Sequence, residues 1–203
     1  MATIAGRFFE RERRPDVLSG TPRAHAIDRW IYVFMAAWFI AIVLIGFILA
    51  PTMYHQVWGG AHFGPPPVRE ALTPVVPLLE NILLLQISAG LMFGLFITVG
   101  LSARVRDAGL HKRMIFLAVA VPLGAAISRM HWLPSTMPAS PLSINLFVLM
   151  SIVPMFVWDV IRNRRVHEAY WIWFPVFAAD VSLVNVLWDT PWWHATARAI
   201  MGV

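Results

Sequence analysis

The side chains with the most chemistry to offer in this chain are ionisable groups set inside long apolar runs. Asp180 lies about 18 Å along the run that opens at Glu168, taking roughly 1.5 Å per helical residue. At that depth a charged side chain costs on the order of 3 kcal/mol on insertion scales, so Asp180 needs a partner or a proton. Ser182, Asn185 and Asp189 follow on one face of the same run, with Asp180 on the other. Glu80 and Asn81 open an earlier run, Arg129 and His131 close another, and Asn145 stands near the start of the next. All of them except Asp180 reach one level of a bilayer. Arg129 is the single basic residue embedded in a run, so pairing it with Glu80, Asp180 or Asp189 is the cheapest way to hold those charges out of water. The plain reading is a buried polar network of Glu80, Asn81, Arg129, His131, Asn145, Asp180, Asn185 and Asp189 that locks helices together. The alternative is that these residues line a ligand or proton pocket.

Two further histidines sit in joints that echo each other. Arg104-Val105-Arg106 leads to His111, and Arg162-Asn163-Arg164 leads to His167. On neighbouring helices of parallel direction they are candidate axial ligands of a haem b. Against this, a basic helix start beside anionic headgroups serves as a topological anchor. His55 and His62 match no metal-ligand spacing, and the absence of cysteine excludes thiolate sites and thiol relays, so no metal centre is expected.

The elements that position these groups are membrane helices. The chain has 203 residues, is 59% hydrophobic and is only 13% charged, about half the charged share of a soluble domain. Five apolar stretches are each near the roughly 20 residues needed to cross a bilayer. They run from about Trp30 to Pro51, Leu78 to Leu101, Lys112 to Trp132, Pro141 to Ile161 and Glu168 to Trp188. Thirteen of the sixteen Lys and Arg residues fall before the first span, between the second and third, or between the fourth and fifth. The positive-inside rule then sets the amino terminus in the cytoplasm and the carboxyl terminus outside. Basic charge thus reports orientation, and nucleic acid is not an expected partner.

The expected architecture is therefore an all-α, polytopic bundle of five transmembrane helices. It follows a basic cytoplasmic segment (1–29), occupies 30–188 with an outer loop at 52–77, and ends in a short interfacial helix (189–203). The Gly- and Pro-rich loop is expected to hold one helical turn after Pro67. Thr190 and Pro191 have the types of an N-cap and a first helical residue. Trp171, Trp173, Trp188, Trp192 and Trp193 read as interface anchors. Gln86, Gly90, Gly94 and Thr98 recur every four residues and predict a close helix contact, either inside the bundle or with another subunit or a second copy. Pro122, Pro154 and Pro175 each free a backbone carbonyl, which directs their helices toward protein or a cavity.

With the joints in view, the chain resembles a group of bacterial multi-span membrane proteins of unassigned activity. The resemblance is carried by His111-Lys112-Arg113, by Arg165-Val166-His167-Glu168-Ala169-Tyr170-Trp171, and by Thr190-Pro191-Trp192, and covers roughly the second half. It implies a bacterial inner-membrane location and supplies no reaction. It also implies a His-x-His pair at the start of the second span, where this chain has Glu80-Asn81, so a ligand site of that kind is absent or altered here.

No His-Glu-x-x-His, Gly-x-Ser-x-Gly or phosphate loop is present. The expected function is a non-catalytic subunit of a membrane complex, or a binder of a lipid-soluble small molecule such as a quinone. The alternatives are a haem b redox protein, and a membrane enzyme or proton-coupled carrier using Asp180, Glu80 and Arg129.

Overall fold

The computed structural model describes Trp30, Phe34, Ala37, Ile48 and residues 51–104 and 106–203. The chain divides into two units, Met1–Pro51 and Thr52–Val203. In the first, the five described residues (Trp30, Phe34, Ala37, Ile48 and Pro51) are helical. The basic segment 1–29 and the rest of the first expected span lie outside the described residues.

The second unit is helical, with no strand among its described residues. Its helices are α1 (52–63), α2 (Pro66–Leu72), α3 (Val75–Ala103), α4 (Ala108–Ala120), α5 (Leu123–Ile127), α6 (Leu142–Asn163), α7 (Glu168–Leu187) and α8 (Pro191–Met201). Four stretches are long and apolar enough to cross a membrane: Pro66–Ala103, Ala108–Ile127, Leu142–Asn163 and Glu168–Leu187. Such helices imply a lipid bilayer environment.

Two boundaries differ from expectation. The segment expected as an outer loop at 52–77 is mostly helical, because its prolines sit at helix starts, where the missing N–H is no loss: Pro66 and Pro67 open α2, and Pro74 precedes α3. The third span begins one turn early, at Ala108, and stops at Ile127 rather than Trp132, because Pro122 splits it and a proline-rich turn segment follows. Pro154 and Pro175 stay inside continuous helices, but on exposed faces rather than against protein.

Side-chain caps fix the remaining ends. Asp107 accepts the Leu110 N–H at 2.8 Å to start α4, and Thr190 accepts the Trp193 N–H at 3.2 Å to start α8. The backbone bonds from Leu110 and Gly109 hold the Asp107 carboxyl below the usual carboxylate range.

The main core lies between α3, α4, α6 and α7, around Phe96, Met114, Leu117, Ile152, Tyr170 and Trp173. Three tryptophans read as interface anchors are instead interior: Trp173 is fully buried, and Trp188 and Trp193 nearly so. Each donates its indole N–H to a backbone carbonyl, of Leu117 at 3.1 Å, Pro138 at 3.0 Å and Glu80 at 2.9 Å. Leu117 has a carbonyl to offer because the Val121 N–H turns to Ala118 at the Pro122 break. Trp171 and Trp192 remain exposed, as an interfacial role requires.

Helix approach inside the bundle relies on glycines outside the expected row. A Cβ on Gly100 would stand 3.1 Å from Ile115 Cδ1 and 3.2 Å from Met114 Cβ. Gly100→Val is therefore expected to push α3 from α4 and cost about 1–3 kcal/mol, read as a lower thermal midpoint in detergent. Gly100→Ala, with less bulk and better helix propensity, is expected to cost under half as much.

Candidate functional site

The polar side chains gather at three levels, of which the Glu80 end is the richest. Glu80, early in α3, is fully buried. Its Oε1 accepts the Tyr54 hydroxyl of α1 at 2.7 Å and the Arg198 Nε of α8 at 3.0 Å, while Oε2 lies 2.6 Å from His194 Nδ1. The opposite ring nitrogen of His194 is 3.1 Å from Asp189 Oδ1. Asn81 closes the circuit. Its Nδ2 donates to Asp189 Oδ1 at 3.3 Å, and its Oδ1 accepts the Asp189 backbone N–H at 3.1 Å. In the imidazolium form His194 donates from both nitrogens, one to each carboxylate.

The turn between α7 and α8 makes this possible. Asp189 adopts a left-handed backbone (φ 58°) that folds α8 back toward α3. Trp193, Ala197 and Met201 then face inward, with His194 and Arg198 along the same side. Burial, and after it the bond from Tyr54 to the Glu80 carboxylate, raise the Tyr54 phenol above its ordinary range.

Glu80, Asn81 and Asp189 thus come together as expected, but Arg129 does not join them. It is exposed beyond the end of α5, and its guanidinium returns to the Ala125 carbonyl. Arg198 takes the role assigned to Arg129, because the α8 turn carries it to Glu80. Asn185 accepts from Ser140 at 3.0 Å, and Asn145 is half-buried away from the cluster. Tyr54, His194 and Arg198 went unread in the sequence. The available signal was the four-residue spacing of His194 and Arg198 beside the apolar row Trp193, Ala197, Met201.

At the middle level Asp180 has Ser88 of α3 as its partner, with the hydroxyl 2.7 Å from each carboxylate oxygen. At the far end Arg113 grips Asp159 in a fork, Nε to Oδ2 at 2.5 Å and Nη2 to Oδ1 at 2.6 Å, and Asn163 adds a bond at 2.8 Å. Arg162, three residues from Asp159, is exposed, and Arg113 supplies the charge from α4. The Tyr170 hydroxyl is buried beside this pair.

The two joint histidines are bound differently. His111 Nδ1 meets the Gly100 carbonyl at 2.8 Å, which leaves Nε2 available as a ligand. His167 Nδ1 accepts the Ala169 N–H at 3.2 Å as the cap of α7. A neutral ring that accepts at Nδ1 carries its proton on Nε2 and has no lone pair left for iron. The pair therefore does not suit bis-histidine ligation while that cap is in place.

No family model, curated protein or solved structure matches this chain.

A groove of about 290 Å³ opens between the end of α5, the segment that follows it and the start of α6. Ile127, Leu133, Met137, Ile144 and Phe147 give it apolar walls, and His131 and Ser143 bring polar groups to it. The His131 ring makes no hydrogen bond within the described residues. Met137 also packs on the cluster of Leu84, Val184, Trp188 and Trp193, which ties the groove wall to the Glu80 end. Gln86, Gly90, Gly94 and Thr98 form an exposed row on α3, and a Cβ on either glycine would meet nothing within 4 Å. The expected contact of this row inside the bundle is not made among the described residues.

Proposed function

We propose that the chain is a non-catalytic integral membrane protein that binds a lipid-soluble small molecule with a hydrogen-bonding head, such as a quinone, in the groove beside His131. The observation that carries this reading is the pairing of apolar walls with one uncommitted imidazole. The groove volume is near the roughly 300 Å³ lower bound of small-molecule sites, and its lining, shared between apolar side chains and the polar Ser128, His131, Ser135 and Ser143, suits an amphipathic ligand whose head is oriented rather than transformed. The charged clusters are internally paired and serve to hold the helices that shape the groove.

Quenching of tryptophan fluorescence by a short-chain quinone, with the protein in lipid nanodiscs, tests the proposal. His131→Ala is expected to weaken binding by up to about tenfold, the worth of one hydrogen bond. Unchanged affinity, together with an unchanged thermal midpoint, would remove His131 from the site and the reading with it.

A second reading, in which the chain is also a subunit of a larger assembly, is supported by the open glycine row. Single cysteines at Gly90 and Gly94 should then cross-link to a neighbouring chain in native membranes. Monomers alone would count against it.

A further inference from the structure

Asp180 is not used by the reading above, and its surroundings are unusual for an acid. It lies well inside α7, Ser88 lies well inside α3, and both helices belong to stretches apolar enough to span a bilayer. Among the described residues Ser88 is its one hydrogen-bonding neighbour, and no Lys, Arg or His pairs with it. The Lys or Arg to carboxylate pairs among the described residues lie at the two ends, Arg198 with Glu80 and Arg113 with Asp159.

The contact with Ser88 counts protons. The hydroxyl oxygen lies 2.7 Å from Oδ1 and 2.7 Å from Oδ2. A serine hydroxyl has one hydrogen to donate. With an ionised carboxylate, that single hydrogen is shared between the two oxygens in one bent, three-centre bond. With a carboxylic acid, the serine donates to the carbonyl oxygen, and the acid O–H donates back to the serine oxygen. Both contacts are then bonds. The cost of an ionised side chain at this depth, on the order of 3 kcal/mol, acts in the same direction.

We propose that Asp180 is a proton-binding site in the membrane interior, carrying its proton near neutral pH in a two-bond ring closed by Ser88. The bound species is the proton itself, and its exchange requires the ring with Ser88 to open. Nothing in this rests on the groove at His131.

Infrared spectroscopy of the full chain in lipid vesicles near pH 7 tests the site, comparing wild type with Asp180→Asn. The expected result is loss of one protonated-carboxyl C=O band with the carboxylate bands unchanged. Loss of intensity from the carboxylate bands instead would overturn the proposal. If Asp180→Asn does not fold, Ser88→Ala gives an independent readout. Removing the ring partner should shift the protonated C=O band to higher frequency, and an unshifted band would overturn the proposal. Treatment with dicyclohexylcarbodiimide, which adds to protonated carboxyls from the lipid phase, should place one adduct on the peptide containing Asp180, with the yield falling as pH rises.

Discussion

Glu80→Ala is expected to lower stability by about 3 kcal/mol, the largest effect of any single change at its end of the bundle. The Glu80 side chain is wholly buried, and removing it deprives Tyr54, His194 and Arg198 of their shared acceptor. Breaking a buried pair by deleting one partner costs roughly 3–5 kcal/mol. The lower figure applies because the Arg198 side chain is 51% exposed and regains water when released. Glu80→Gln should cost about half as much, since the amide oxygen still accepts from Tyr54 while the charge is gone. Thermal unfolding in mild detergent, followed by near-ultraviolet dichroism, reads both. Tryptophan signal should be lost early in Glu80→Ala, because Trp193 packs above the Glu80 carbonyl. Equal midpoints for wild type and Glu80→Ala would show that α8 is held by its apolar face alone.

The same cluster sets an alkaline limit. Burial and the neighbouring Glu80 carboxylate raise the Tyr54 phenol, so the folded state favours its neutral form. The unfolded phenol ionises near pH 10. Stability from this group is therefore complete below about pH 10 and declines as pH rises further. Tyr54→Phe should flatten that decline while lowering stability at neutral pH by roughly 1 kcal/mol for the lost bond.

The second large effect is expected at Asp159. In Asp159→Ala the part-buried Arg113 guanidinium loses both arms of its fork, at a cost of about 3 kcal/mol, the lower end of the range for a broken buried pair. The double change Arg113→Leu with Asp159→Leu removes the stranded charge as well, and should cost less than Asp159→Ala alone. Chemical unfolding of the two variants and the wild type gives the comparison. A double variant no more stable than Asp159→Ala would mean that packing around Tyr170, rather than charge pairing, dominates this end. Arg113→Lys should recover only part of the loss, since an ammonium cannot reproduce the two parallel bonds.

Much of this arrangement was legible in the residues. Length and hydropathy located the four described spans to within about a turn at most ends, because a helix in lipid must satisfy its own backbone and must be long enough to cross. Depth alone grouped Glu80, Asn81 and Asp189, of which Asp189 bonds Asn81 directly and Glu80 through His194. What depth cannot supply is direction. Arg129 sits at the right level but beyond a proline break, and Arg198 stands in the short terminal helix that the left-handed turn at Asp189 carries inward. The tryptophans misled for a related reason. An indole is amphipathic, and it is equally content at a headgroup or beside an orphaned carbonyl such as that of Leu117. The glycine row was legible as an interface motif, but its spacing carries no label for the neighbour it would meet.

The positions of the two ion-paired clusters have a mechanical consequence. α3 is tied to α8 near its first turns, and α4 is tied to α6 at the opposite end, whereas the stretch between holds apolar contacts, the Ser88–Asp180 and Trp173–Leu117 hydrogen bonds and prolines within α6 and α7. A beam clamped at both ends and notched near the centre bends at the notch. Thermal bending of α6 and α7 should concentrate near Pro154 and Pro175, and there their backbone amides should exchange with deuterium soonest.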